Sequence, residues 1–265
     1  KKRIIKERNL KVKVSPPIVV YRESVTSTTP VNVEGKSPNK HNKFKFEVEP
    51  LEPEVVEAIK EGKLPVGRLK KGDLDVRKVF QEAGYDTKEA DSVREIFEGC
   101  IYMDQTKGQI HMMEVESMIL DMFEDVMKHG PLAREPCINL KVKLTDMSLH
   151  EDAIHRGPAQ VYPAVRDGIR DAMRTASPVL YEPLQVQLIE GPEETMGAIT
   201  KLVSGKRGTI IDMNVGDQGA TVKAKIPVME MIGWGSDLRS ATEGKGVSSL
   251  IDQDFEKLPN ELQDD

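Results

Sequence analysis

Apolar residues recur along this chain with two spacings, one typical of strands and the other typical of helices. Alternation over 44–48 and 138–144 predicts strands with one buried face. Between Met112 and Val126 the apolar residues lie three and four positions apart, which predicts a helix with a buried stripe. A second amphipathic helix is predicted over 162–178, with Pro163 in its first turn.

The amino-terminal part of the chain has the pattern of short strands and one short helix. Alternation predicts strands over 10–14 and 18–21, separated by two prolines that cannot donate to a strand ladder. The segment 53–62 predicts a helix, because it begins with proline and ends with glycine. From 62 to 84 we expect a connection and another short helix.

The pattern changes near residue 181 and then follows the order βαββαβ. The predicted strands are 184–191, 209–215, 220–228 and 247–252, and the predicted helices are 192–208 and 229–244. This order is typical of a small ferredoxin-like domain. The fold class is therefore α+β, and the last residues have too few apolar side chains to fold alone.

Composition excludes several classes of protein. Of the 265 residues, 38% are hydrophobic and 31% are charged, and no apolar run approaches the roughly 20 residues that a membrane helix needs. The two cysteines are too few for a disulfide framework or a thiolate zinc site, which favours the cytoplasm and idle thiols. Since the chain opens on lysine within a charged segment, we expect a fragment of a longer protein.

Charge is unevenly distributed. The net charge is −6, yet residues 1–46 carry 12 Lys and Arg against 3 Asp and Glu. A basic arm of this kind binds phosphate backbones in some proteins and is merely solvated in others. Charge alone leaves both alternatives open.

The stretch LHEDAIHRGPAQ, residues 149–160, joins a predicted strand to a predicted helix, where loops often carry function. The zinc motif H-E-x-x-H needs histidines four apart, whereas His150 and His155 are five apart. Ser148 lies beside His150, but nothing marks an oxyanion hole. A contact with a partner and an ordinary loop therefore remain open.

A second loop is densely basic. Gly35-Lys36-Ser37 matches the end of a phosphate-binding P-loop, but Pro30 occupies the position of the leading glycine, and Pro38 disfavours the helix that should follow. We therefore expect no nucleotide there. The residues available for phosphate contact are Lys36, Lys40, His41 and Lys43.

Five separated stretches closely resemble one known family. SPPIVVYRESV, VEGKSPNKHNKF, LHEDAIHRGPAQVYPA, GKRGTI and DLRSATEGKG resemble, in order, the carboxy-terminal half of the ribosomal translocation factor called elongation factor two. The resemblance implies a ribosomal protein S5-like α/β domain followed by the ferredoxin-like domain. It implies that 1–24 end the family's third domain, 25–180 form the fourth, 181–252 form the fifth and 253–265 form a tail.

The resemblance also implies roles for individual residues. In this family the histidine of the DAIHRG loop is converted to diphthamide, which corresponds to His155. The loop contacts tRNA and mRNA at the decoding centre of the small subunit, and the basic loop is implied to be a second RNA contact. The implied contact residues of the first loop are His150, Asp152, His155, Arg156 and Gly157. Pro158-Ala159, where eukaryotic members carry glycines, favours an archaeal member.

The implied partners are the ribosome, with its ribosomal RNA, tRNA and mRNA, and the enzymes of diphthamide synthesis. S-adenosylmethionine enters only as the donor for modification of His155, and no catalytic residue or metal is implied for these residues. GTP and magnesium belong to an amino-terminal domain of the family, so this chain is not expected to be a GTPase. We expect a cytoplasmic monomer, and the alternative from another class is a metal-dependent hydrolase that uses His150, Glu151 and His155.

Overall fold

The chain forms two compact units of mixed α and β structure. The computed structural model describes residues 18–70, 72–107, 111–216 and 219–263. The first unit spans Tyr21–Glu182 and also contains the described residues from 255 onward, and the second spans Pro183–Asp254 and also contains 18–20. The strand predicted over 10–14 lies outside the described residues. In the parts of the chain that are described, no helix is both long and apolar enough to cross a membrane.

The first unit is built on a six-stranded sheet. In chain order its elements are β1 (Arg22–Val25), β2 (Val33–Lys36), β3 (Lys43–Pro50), α1 (Pro53–Lys60), β4 (Gly67–Arg68), α2 (Leu74–Glu82), α3 (Thr87–Ala90), β5 (Val93–Phe97), β6 (Cys100–Asp104), α4 (Met112–Lys128), β7 (Leu140–Ser148) and α5 (Pro158–Thr175). The strand order is β2-β3-β7-β6-β5-β4; β6 and β7 are parallel, and the other neighbours are antiparallel.

Apolar cores cover both faces of this sheet. On one face, Phe46 and Tyr102 pack in a cluster with Phe123 of α4 and with residues of α5. On the other face, Ile101 packs in a cluster with Phe80 of α2. Because Ile101 and Tyr102 are neighbours on β6 and point to opposite faces, the sheet is the middle layer of three.

The second unit has the predicted order of elements. They are β8 (Pro178–Gly191, whose first residues belong to the first unit), α6 (Met196–Gly205), β9 (Thr209–Gly216), β10 (Gly219–Pro227), α7 (Trp234–Ala241) and β11 (Val247–Lys257). The strands lie in the order β11-β8-β10-β9. Val222 and Ile226 of β10 face Ile199 and Val203 of α6 in the core.

Several predicted boundaries were wrong. The strand expected over 18–21 is found at Arg22–Val25, where Val25 enters the core and the backbone pairs with the start of β8. Helix α5 begins at Pro158 instead of 162, because Pro158 can occupy its first position, and Pro163 lies inside the helix. Helix α7 begins only after Gly233, whose φ of 85° is outside the helical region.

The tail after β11 packs against the first unit. Leu258 is buried, and the side chain of Gln263 accepts a hydrogen bond from the backbone N–H of Leu180 (2.9 Å) and donates one to the carbonyl of Leu258 (2.7 Å). The tail, which has few apolar residues, is therefore ordered by packing against the first unit. Cys100 and Cys137 are both buried free thiols, and burial raises the pKa of Cys100 to about 12.

A buried carboxyl group on β5 gives this unit an unusual dependence on pH. Glu95 is 1% exposed, and one of its oxygens has no hydrogen-bond partner among the described residues. Burial, and then the charge of Glu124, raise the pKa of Glu95 to about 8. An unfolded glutamate ionises near pH ~4.3, so the folded state retains a proton that the unfolded chain releases. The stability that this group contributes is therefore fully present below the pKa of the unfolded state. It is lost as the pH rises toward the folded-state pKa of about 8.

We expect Glu95→Gln to stabilise the protein increasingly as the pH rises. Glutamine keeps the shape and cannot ionise, so the free energy of unfolding of the variant relative to the parent should increase by on the order of 4 kcal/mol between about pH 5 and about pH 9. Urea denaturation at both pH values measures this difference. Glu57→Gln, at an exposed position of α1, is the control and should show no such change. An equal difference at both pH values for Glu95→Gln would contradict the prediction.

Candidate nucleic-acid interface

The two loops singled out in the sequence leave the same end of the sheet. We call residues 36–43 the basic loop and residues 149–157 the histidine loop. The basic loop connects β2 to β3, and the histidine loop follows β7. Because Lys43 at the start of β3 pairs with Ser148 at the end of β7, the end of the basic loop lies beside the start of the histidine loop.

Asparagine side chains of the basic loop hold the histidine loop. Asn42 donates from Nδ2 to the carbonyl of His155 at 2.7 Å and accepts at Oδ1 from the backbone N–H of His150 at 3.1 Å. Asn39 donates to the same carbonyl at 3.4 Å, and its backbone N–H bonds to Oε1 of Gln160 at 2.9 Å. The two sites predicted separately are therefore one surface.

Arg156 is placed differently from the other implied contact residues. Its side chain is 5% exposed, and Nη1 donates to the carbonyls of His150 (2.5 Å) and Glu151 (2.6 Å). Nη2 donates to Oε2 of Glu114 at 2.6 Å, and this guanidinium, followed by His111, lowers the pKa of the Glu114 carboxyl. Arg156 therefore fastens the histidine loop to the start of α4 and presents little of itself to a partner.

Three imidazole rings meet on this surface. The ring centroids of His150 and His155 are 4.4 Å apart, and the ring of His41 lies 4.9 Å from the first and 5.1 Å from the second. His41 is exposed, whereas the other two are half-buried. The surface therefore combines three rings that can stack and hydrogen-bond.

Local hydrogen bonds set the conformation of the histidine loop. Nδ1 of His150 accepts from the backbone N–H of Asp152 at 3.1 Å, which leaves the proton of the neutral ring on Nε2. The Asp152 carboxylate accepts from the N–H of Ile154 at 3.1 Å and so caps the turn Ala153–His155. Gly157 is the N-cap of α5. Ile154, which the sequence did not single out, is 78% exposed at this turn.

The basic loop carries exposed cations, two of which share one carboxylate. Nζ of Lys36 lies 3.0 Å, and Nζ of Lys43 lies 3.9 Å, from Oε1 of Glu34. Bonding to Lys36 lowers the pKa of Glu34, which is therefore ionised at neutral pH. Lys40 is exposed and has a φ of 63°. Since surface ion pairs contribute little free energy, a phosphate group can replace Glu34 as the partner.

The alternative of a metal-dependent hydrolase finds no support in this geometry. Among the described residues, no group of three or more His, Cys, Asp or Glu side chains is arranged to hold a metal ion. The segment Gly35-Lys36-Ser37 does not have the geometry of a P-loop, because Gly35 and Lys36 lie in strand β2.

Sequence reasoning missed Asn39, Asn42 and Glu114. Their contacts join segments that are 42 to 121 residues apart, so no local spacing in the sequence predicts them. They form the framework of the site, whereas the predicted residues form most of its surface.

Comparison with known proteins gives consistent matches along the chain. A family model described as "Elongation factor G, domain IV" matches residues 68–177, and one described as "Elongation factor G C-terminus" matches 179–265. A Methanocaldococcus jannaschii protein named Elongation factor 2 is 47% identical over 265 residues, which cover 100% of this chain and 36% of that protein. The protein of the same name from Nanoarchaeum equitans is 48% identical over 99% of this chain and 36% of its own length. That of Pyrococcus furiosus is 46% identical over 97% and 35%. The chain thus spans about a third of the length of these archaeal relatives.

Proposed function

This chain belongs to the elongation factor 2 family, and we propose that it is the part of a translation factor that contacts RNA at the decoding centre during GTP-dependent translocation of tRNA and mRNA. The observation that carries the proposal is the joining of the histidine loop to the basic loop through Asn42. A loose loop would pay an ordering cost on binding, whereas these loops are already fixed against each other.

The surface chemistry fits an RNA backbone. Lys36, Lys40 and Lys43 are exposed cations, and lysine binds phosphate as a point charge. The rings of His41, His150 and His155 offer donors and acceptors to 2′-hydroxyl groups and flat faces for unstacked bases. These are contacts to backbone and shape, which suits a factor that must act on every codon.

We propose that His155 is the residue converted to diphthamide, with S-adenosylmethionine as a donor and the diphthamide-synthesis enzymes as partners. Two observations support this. The ring is half-buried, so an enzyme can reach it, and its backbone carbonyl is fixed by Asn42. A cationic, hydrogen-bonding extension at this position would reach further toward the codon–anticodon backbone than imidazole does.

We propose the finer fold names on the same basis. The order β11-β8-β10-β9 with two helices supports a ferredoxin-like fifth domain, and the sheet of the first unit supports a ribosomal protein S5-like fourth domain. GTP and magnesium are assigned to an amino-terminal domain that these residues do not supply, so the chain itself is not proposed to be an enzyme. The proposed setting is the cytoplasm.

We expect His155→Gln, introduced into the full-length protein in its native host, to raise frameshifting more than it weakens ribosome binding. The parent peptide containing His155 should carry an added mass equal to diphthamide, and the variant peptide should not. Loss of one contact among many should change the affinity by no more than about tenfold, since most of the binding free energy comes from phosphate contacts. Mass spectrometry, a dual-reporter frameshift assay and ribosome sedimentation make these measurements.

The matched control is His129→Gln, which removes an exposed histidine that follows α4 and belongs to neither loop. It should leave frameshifting and the mass of the His155 peptide unchanged. Equal frameshifting in the His155→Gln variant and its parent would overturn the proposed role of the histidine loop. An unmodified parent peptide would overturn the modification alone.

A further inference from the structure

Asn42 is fully buried although it lies in a loop whose other residues are mostly exposed. Burying an amide costs free energy unless its polar atoms are hydrogen-bonded. Part of this requirement is met inside the basic loop, where Nδ2 lies 3.3 Å from Oγ of Ser37 and the backbone N–H donates to the same oxygen at 3.0 Å. The remaining hydrogen-bonding capacity of the Asn42 side chain is used by groups outside the basic loop.

Both outward bonds of Asn42 end on the histidine loop, one near each end of it. Nδ2 reaches the carbonyl of His155, and Oδ1 receives the N–H of His150. From the other side, Arg156 donates to the carbonyl of His150. The backbone of His150 is therefore held at both its N–H and its C=O, while its ring lies 4.4 Å from that of His155.

We infer that Asn42 is a positioning residue that holds His150 and His155 side by side, so that His155 is presented in a single orientation to the enzymes that modify it and afterwards to RNA. The role of His155 in this inference rests on the proposed function, whereas the positioning is a property of the two loops.

A primary amide is needed because it supplies a donor and an acceptor on one short side chain. Aspartate would retain the acceptor for the N–H of His150 but would place a carboxylate oxygen against the carbonyl of His155. Alanine would leave the N–H of His150 without its partner and the carbonyl of His155 with only the 3.4 Å bond from Asn39, and each unsatisfied buried group costs about 1–3 kcal/mol.

The test compares Asn42→Asp with Asn39→Asp in the 265-residue chain. Both variants add one negative charge to the basic loop. Asn39 is a matched control because its Oδ1 already accepts hydrogen bonds from Ser37 (2.5 Å) and the N–H of His41 (3.0 Å), which aspartate can also do, and its bond to His155 is long. Thermal unfolding of each variant establishes that both remain folded.

The first measurement is the magnetisation transfer between the imidazole protons of His150 and His155 in histidine-labelled protein. We expect it to be present in the parent and in Asn39→Asp, and to be lost in Asn42→Asp. Retention in Asn42→Asp would overturn the inference. Equal loss in both variants would also overturn it, because added charge would then be sufficient to separate the rings.

The second measurement is the initial rate at which the His155 peptide acquires the added mass. It is obtained from the modified fraction over time when each chain is produced in an archaeal host. Because a displacement of 1 Å can cost an enzyme reaction about 100-fold, we expect Asn42→Asp to reduce the initial rate of modification by about tenfold or more, with little change in Asn39→Asp. An unchanged rate in Asn42→Asp would overturn the link between positioning and modification. If even the parent stays unmodified, the proposed modification fails, and the ring contacts still decide the positioning.

Discussion

Replacing Gly35 with alanine should destabilise the first unit by about 3 kcal/mol or more, because a backbone contact leaves no room for a methyl group. A Cβ atom at this position would lie 2.1 Å from the carbonyl oxygen of Ala164 and 3.0 Å from Cα of Gly168. Both neighbours are backbone atoms of α5, so relief requires the helix to move away from β2. Urea denaturation of the variant, followed by circular dichroism, measures the loss.

The control for Gly35→Ala is Gly157→Ala. Gly157 has a φ of −70°, and a Cβ atom there would meet nothing within 4 Å. Loss of the N-cap glycine should cost about 1 kcal/mol or less. Comparable destabilisation by the two substitutions would mean that the close approach of α5 to β2 is not what makes Gly35 necessary.

The same close approach links stability to the proposed interface. Gly35 immediately precedes the basic loop, and α5 begins immediately after the histidine loop. A helix displaced from β2 would therefore separate the two loops and lengthen the bond between Asn42 and the carbonyl of His155. Gly35→Ala should reduce modification of His155 even at temperatures where the variant remains folded.

Periodicity predicted the elements that have one buried face. Alternation located β3, β7 and β10, and the three-and-four spacing located α4, because in each case a single face meets the core. The hairpin of β5 and β6 was not predicted. Its residues are buried on both faces, since Ile101 and Tyr102 belong to different cores, and a strand of this kind does not alternate.

The candidate site could be predicted only in part, for a related reason. His155, His41 and the lysines were found because residue type and loop position are visible in the sequence. Asn42 and Arg156 acquire their roles from partners that the fold brings together, such as Glu114, 42 residues before Arg156. A charged residue in a loop is ordinarily expected to be exposed, whereas Arg156 is buried between Glu114 and the carbonyls of its own loop.

Glu23 should be costly to remove, because it is buried and bonded to the backbone on both of its oxygens. It is 0% exposed, and it accepts hydrogen bonds from the N–H groups of Leu132 (2.8 Å), Ala133 (2.9 Å) and Glu135 (3.0 Å). Three backbone donors from one short segment form a concave anion site, which here is filled by the protein itself. A Cβ atom on Gly130 would lie 2.4 Å from the same carboxylate, so the site has no spare volume.

We expect Glu23→Ala to reduce the free energy of unfolding by about 3–5 kcal/mol, because three backbone N–H groups lose their acceptor and a cavity remains where the buried side chain was. Glu23→Gln fills the cavity but turns an NH₂ group toward at least one donor, so it should cost about 2 kcal/mol. The controls are Glu57→Ala and Glu57→Gln on the exposed face of α1, each within about 0.5 kcal/mol of the parent. If Glu23→Gln were as stable as the parent, shape and not the bonded carboxylate would hold the segment between α4 and β7. If Glu23→Ala costs more than Glu23→Gln, and both cost more than the controls, the charge on Glu23 fixes that segment. Strand β1, which carries Glu23, is then part of the structural framework of the first unit.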